Sequence, residues 1–278
     1  ESHAGRARYD IAGPEALKTG EALRGVAALE PAEHPYWEAV AAAREAWGPT
    51  AYPGSPAIAQ GLLGPEDRLT LMELHGGEHA ALKAEMAADE RVAVHRRDGA
   101  EGLRALTPPE PRRGLALIDP SYEVKGEYLD TAMLALELTA RWPEGVILVW
   151  YPLLPDDRQE ALVGPIEAVK PERTIRDEAL FAERPPRGMI GSGLLLLNAP
   201  YGAEAALSEA RAAVAEVFAP GSLRLAGVHP DQAVGRAEPH VAGRHQHDAD
   251  DQRPGPERAD HAEQDEKRAD PGADQAVL

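Results

Sequence analysis

The chain has 278 residues, a formal net charge of -18 and no cysteine. That length allows one large domain or two small ones, and the absence of cysteine excludes a disulfide framework and a thiolate metal site. No apolar run approaches the ~20 residues that span a membrane, and the negative charge argues against broad, unspecific nucleic-acid binding.

No signal peptide is recognisable, so a soluble, cytoplasmic protein is expected, acting as a monomer. Local basic surface remains available, because arginines cluster at Arg6/Arg8, Arg96/Arg97, Arg112/Arg113 and Arg184/Arg187. In chain order, "ESHAGRARY" (Glu1 to Tyr9) reads as a glycine-containing loop. Residues 14–48 are rich in Ala, Glu and Leu, carry Trp37 and Trp47, and read as two or three helices. Buried strands follow at Leu69–Leu74, Val92–His95, Leu115–Ile118, Val146–Tyr151 and Gly193–Asn198. Helical patterns lie among them at Gly77–Ala88, Tyr128–Arg141 and Asp156–Val169. This alternation predicts a doubly wound α/β fold, with a mostly parallel sheet over residues 69–227.

From Val228 to Leu278 the composition changes. The segment holds no Phe, Trp, Tyr, Ile or Met, and carries 12 acidic and 6 basic residues. It cannot bury enough apolar surface to offset chain entropy, so disorder is expected. Its composition is consistent with a shifted reading frame. The His245-x-His247 pair there is not expected to hold a metal, and none is expected elsewhere.

Chemistry-bearing residues fall where strands end. In "GLALIDPSYEVKGEY", Pro120 cannot continue a ladder, so Asp119 sits at the carboxyl end of a central strand. That edge is where open α/β sheets bind ligands, although Asp-Pro-Ser is also turn chemistry. Glu73, the last acidic residue of "LTLMEL", reads as an acid that binds ribose hydroxyls or as a surface carboxylate. Asp98-Gly99 follows the next strand and reads more readily as a turn than as a site. Glu73, Asp98 and Asp119 are expected to converge at one edge.

Taken in order, "HAGRARYDIAGPEALKTGE", "AYPGSPAIA", "LTLMELH", "RRDGAEGL", "RRGLALIDPSYEVKGEY", "VWYP" and "RGMIGSGLLLLNAPY" resemble the bacterial 23S rRNA adenine-N6 methyltransferase family. The resemblance runs from Glu1 to about Gly227. It implies S-adenosylmethionine as methyl donor and 23S ribosomal RNA as partner. It also implies a cofactor-loop remnant at 1–9, a small helical insertion at 10–52 and a Rossmann-like core at 53–227. By the same carry-over His3, Gly5 and Ser55 would touch the cofactor, Glu73 would hold its ribose, and Asp98 with Gly99 its adenine. Asp119 would meet both cofactor and target amine. The chain departs from the family's pattern in Ser121, where a second proline is expected, in Arg6-Ala7 within the glycine turn, and in Glu1-Ser2 where Asp-Thr would stand. An N-terminal helix and the first strand of that pattern are missing ahead of Glu1. An N-terminally truncated chain is therefore expected, with unpaired backbone on the neighbouring strands.

The residue chemistry points the same way. The N6 lone pair of adenine is delocalised into the ring and attacks poorly. A carboxylate from Asp119 and the carbonyl of Pro120, accepting its two N–H bonds, would favour the geometry that attacks a sulfonium methyl. Tyr122 could stack on a target base extruded from its helix, an interaction of about 1–3 kcal/mol. Arg184, Arg187 and Lys125 are candidates to grip phosphates. His75, His79 and His95 read as structural or surface residues. Three other readings stand beside this one. A DNA adenine methyltransferase would share the Asp-Pro-aromatic chemistry, and a nicotinamide dehydrogenase would share the sheet. The third is a non-catalytic RNA-binding remnant.

Overall fold

The computed structural model describes residues 1–13, 34–181, 188–213 and 224–227. Arg184, Arg187, the segment 228–278 and residues 14–33 of the expected helical block lie outside the described residues. The strands are β1 (Arg8–Asp10), β2 (Ala51–Pro53), β3 (Leu69–Met72), β4 (Val92–His95), β5 (Leu115–Ile118), β6 (Val146–Leu153), β7 (Ile175–Leu180), β8 (Gly191–Leu197) and β9 (Arg224–Gly227). The helices are α1 (Pro35–Trp47), α2 (Ser55–Leu62), α3 (Gly76–Met86), α4 (Gly99–Leu106), α5 (Glu127–Arg141), α6 (Glu160–Val169) and α7 (Ala203–Ala213).

β3 pairs with β4 in parallel, and β5 pairs with β6 in parallel. Beyond β6 the direction changes. The ladders β6–β8, β8–β7 and β7–β9 are all antiparallel, giving a five-stranded order β5-β6-β8-β7-β9. The expectation of a mostly parallel sheet is corrected accordingly. The apolar run around Leu194–Leu197 suits a strand in either direction, so its composition alone misleads.

Residues Glu1–Ala4 knit the two sheets together. The Glu1 nitrogen donates to the Thr70 carbonyl at 2.8 Å, and the Glu1 carbonyl accepts from Met72 at 3.0 Å. On the other side Ser2 N donates to the Leu117 carbonyl at 3.0 Å, while Ala4 N returns to Met72 O at 3.0 Å. This segment therefore stands between β3 and β5.

The core lies between β6, β8 and the helices α5 and α6. On α5 the positions Tyr128, Thr131, Ala132, Ala135 and Leu138 are buried, three or four residues apart, as one helix face requires. They meet Ile147, Val149 and Tyr151 of β6 and Leu162 and Ile166 of α6, all fully buried. Burying each Leu or Ile side chain contributes roughly 1.5–3 kcal/mol. β8 passes close over Tyr151 because Gly193 has no side chain, and a Cβ there would stand 2.3 Å from the ring. A smaller cluster forms where α1 packs on β2: Trp37 and Val40 meet Tyr52, with Tyr9, Ile11 and Tyr36 against them. His34 caps α1 by accepting the Tyr36 N–H, and Pro35 is the first helical residue. This cluster is entered through β1 and left through β2, which pair antiparallel.

Candidate active site

The carboxyl ends of β3 and β5, the start of α4 and the turn after Ala4 gather at one edge. Gly5 takes a left-handed φ of 59°, which turns the chain out of the sheet. Its N–H donates to Glu73 Oε2 at 2.8 Å, while the His75 N–H donates to Oε1 at 2.7 Å. Glu73 is 4% exposed, so the surface reading fails. Each of its oxygens carries one N–H bond. A carboxylate offers about four lone-pair sites, so roughly two remain for further donors.

His3 follows on the same turn, half-buried, with Nδ1 2.7 Å from Ser2 Oγ. Burial pulls its ring below the usual imidazole range, against the opposing pull of the Glu73 and Asp98 carboxylates. The imidazole is consequently neutral near pH 7. Asp98 begins a helix, not merely a turn: its Oδ1 accepts the Glu101 N–H at 2.8 Å and caps α4. Gly99 lets that helix start approach the strand end, since a Cβ there would lie 2.1 Å from Ser2 O.

Asp119 closes β5. Burial and the neighbouring Glu1 carboxylate push it up to about 7. Glu1 is itself pushed up to about 7, chiefly by burial, with Glu73 adding to the effect. Its Oε1 accepts the hydroxyl of Ser55, the first residue of α2, at 2.5 Å. Glu1 is the residue that sequence reasoning leaves out of the site. The usable signal is its position two residues ahead of His3, at the end of the segment that β3 and β5 flank.

Pro120 is buried and Ser121 exposed. Tyr122 departs from the expectation of a free stacking platform, because a left-handed φ of 56° turns its ring inward. The ring is 5% exposed and lies 4.5 Å from that of Tyr128, and its hydroxyl donates to the Trp150 carbonyl at 2.6 Å. Lys125 is exposed on the loop that follows. The arginine pairs are largely engaged within the protein. Arg6 forms a two-bond ion pair with Glu78, Arg97 meets Glu101 and Arg112 meets Glu144. His75 caps α3, in keeping with a structural role.

The geometry thus unites His3, Gly5, Ser55, Glu73, Asp98, Gly99 and Asp119 around Glu1–Gly5, and keeps Tyr122 in the core. Among the described residues no group of three His, Asp or Glu is arranged to hold a metal, and no helix is long and apolar enough to cross a membrane.

An α/β protein with acids at its strand ends and a glycine turn tied to one of them belongs with enzymes that bind a ligand at that edge. Residues 1–226 match the model of the family described as Ribosomal RNA large subunit methyltransferase D, RlmJ, and the chain belongs to that family. Among curated relatives, Ribosomal RNA large subunit methyltransferase J of Escherichia coli is 35% identical over 208 residues, covering 72% of this chain and 74% of that protein. The protein of the same name from Haemophilus influenzae is 31% identical over 218 residues, covering 75% and 77%. The crystal structure of protein LPL1258 from Legionella pneumophila superposes with a TM-score of 0.68 at 29% identity, over 81% of this chain and 85% of that one. A methyltransferase family implies a methyl donor.

Proposed function

We propose that the protein transfers a methyl group from S-adenosylmethionine to the N6 amine of an adenosine in 23S ribosomal RNA, in the cytoplasm and as a monomer. The supporting fold reading is a Rossmann-like sheet. In it, the position between β3 and β5 is that of the central strand's carboxyl end, taken by Glu1–Ala4. Of the described residues, those within 53–227 are read as the core and those within 10–52 as a helical insertion beside it.

The cofactor fits the residues present. The two open lone-pair sites of Glu73 suit a ribose diol, and Asp98 with the backbone at Gly99 suits an adenine edge. A neutral His3 can lie beside a sulfonium without charge repulsion. When bound, the cofactor supplies an electrophilic methyl group. In its ionised form Asp119 accepts one N–H of the target amine, and the Pro120 carbonyl accepts the other. To stack on the base Tyr122 must leave its contacts with Tyr128 and the Trp150 carbonyl, and Lys125, Arg184 and Arg187 hold phosphates around it.

The observation that carries the reading is the tie between Gly5 and the buried Glu73, two residues from the His3 ring and beside the Glu1–Asp119 carboxyl pair. The test is incubation of the protein with labelled S-adenosylmethionine and unmodified 23S rRNA, followed by nucleoside analysis. N6-methyladenosine in the RNA digest is expected. Label in duplex DNA and none in RNA would replace this reading with a DNA methyltransferase.

A further inference from the structure

Glu1 stands where three elements meet. Its backbone pairs with β3 at Thr70 and Met72, and its carboxyl accepts the Ser55 hydroxyl at the start of α2. Its neighbour Ser2 pairs with β5 at Leu117, two residues before Asp119. A 2.5 Å bond from a hydroxyl to a carboxyl oxygen is a short, strong one and fixes both partners. A free acid at a strand end would turn to water, but this one is half-buried and held by Ser55.

We infer that Glu1 is a positioning residue for methyl transfer: its carboxyl tethers Ser55 and α2 to the strand end that carries His3, and stands close to the acceptor carboxyl of Asp119. The inference rests on the proposed function and adds a residue that acts through others. The groups around the pair are the amino-terminal ammonium and Glu73, which act on Glu1 in opposite directions, Tyr9 from β1 and Tyr122 after β5, with His3 and Asp98 next to them. Beyond burial, the like charge that raises Asp119 is that of Glu1. Glu1 therefore adds to burial in holding Asp119 back from its acceptor form, besides holding Ser55.

Three variants separate these effects. Glu1→Gln removes the charge and keeps an oxygen for Ser55, Glu1→Asp keeps the charge and draws back from Ser55, and Ser55→Ala removes the tether. In protein carrying carboxyl-labelled aspartate and glutamate, NMR titration should move the Asp119 midpoint to lower pH in Glu1→Gln and leave it high in Glu1→Asp. The acid limb of methyl transfer should follow, so that the rate at pH 6 relative to pH 8 rises roughly two- to fivefold in Glu1→Gln. Ser55→Ala should raise the Glu1 midpoint, because a bond to the charged form is lost. An unmoved Asp119 midpoint in folded Glu1→Gln overturns the inference. Where Glu1→Gln fails to fold, unmoved Glu1 titration in Ser55→Ala overturns it instead. Wild-type protein that shows the titration shifts yet methylates no RNA refutes the methyltransferase reading and not the coupling.

Discussion

The Glu73 carboxylate accepts the Gly5 N–H at 2.8 Å, across 68 positions of sequence, so the acid ending β3 holds the turn that follows His3. One side chain thereby shapes the loop and keeps oxygens open to a ligand. Glu73→Ala should weaken S-adenosylmethionine binding by about 1–3 kcal/mol, the usual loss on removing hydrogen bonds to a charged group. Calorimetric titration reads this directly, and unchanged affinity would place the ribose elsewhere.

Asp119→Asn keeps the size and replaces a charged acceptor by a neutral amide. Single-turnover methylation of 23S rRNA should slow by about 2.7–4 kcal/mol in barrier height, if the carboxylate behaves like a preorganised oxyanion-hole group. Cofactor affinity should change much less. Near-normal transfer would reduce Asp119 to a turn residue.

The same substitution has an opposite effect on stability. The Asp119 carboxyl is raised to about 7 in the fold, against about 3.9 in an unfolded chain. A raised group contributes stability that is full below the unfolded value and lost as pH rises through the folded one. Asp119→Asn should therefore stabilise the protein at pH 8, by about 1–3 kcal/mol, and by little at pH 4. Denaturant melts at the two pH values check this, and a gain independent of pH would mean the carboxyl is not the cause.

Tyr122 sits in the core with its hydroxyl on the Trp150 carbonyl. Tyr122→Phe should lower stability by about 0.5–1.5 kcal/mol, leaving the carbonyl to find another donor, and Tyr122→Ala by about 3–5 kcal/mol through the cavity left beside Tyr128. If the ring also captures the base, Tyr122→Phe should keep RNA binding while Tyr122→Ala loses it. Equal binding by the two folded variants would confine Tyr122 to the core.

How much of this was legible depends on how local its causes are. β5 and its end at Asp119 are readable because an apolar run stops at Pro120, and both signals lie within six residues. The strands β3 and β4 are readable for the same reason. α4 is hidden because the Asp98 cap and Gly99 look like an Asp-Gly turn until the Glu101 N–H is seen to need an acceptor. β7 is hidden by Arg176, Asp177 and Glu178: Arg176 meets Glu160 and Glu167, Asp177 meets Arg211, and Glu178 takes the Tyr151 hydroxyl and Arg176 of its own strand. The inward turn of Tyr122 depends on one left-handed φ. Glu1 joins the site through positions 55, 70, 72 and 119, all distant from it in sequence.

The place of Glu1–Ala4 between β3 and β5 also bears on how the chain is made. These residues leave the ribosome before Thr70, Met72 and Leu117, yet their backbone bonds are to those three. Their bonds to Thr70 and Met72 can form once β3 has emerged, but the Ser2 bond to Leu117 must wait for β5, whereas β6, β7 and β8 can pair soon after each is synthesised, because such contacts close shorter loops. A ribosome-bound intermediate ending near residue 110 would hold Gly5, Glu73 and Asp98 but neither Leu117 nor Asp119. The edge that gathers Glu73, Asp98 and Asp119 is then a late product of synthesis, completed when Glu1–Ala4 is finally given its second neighbour.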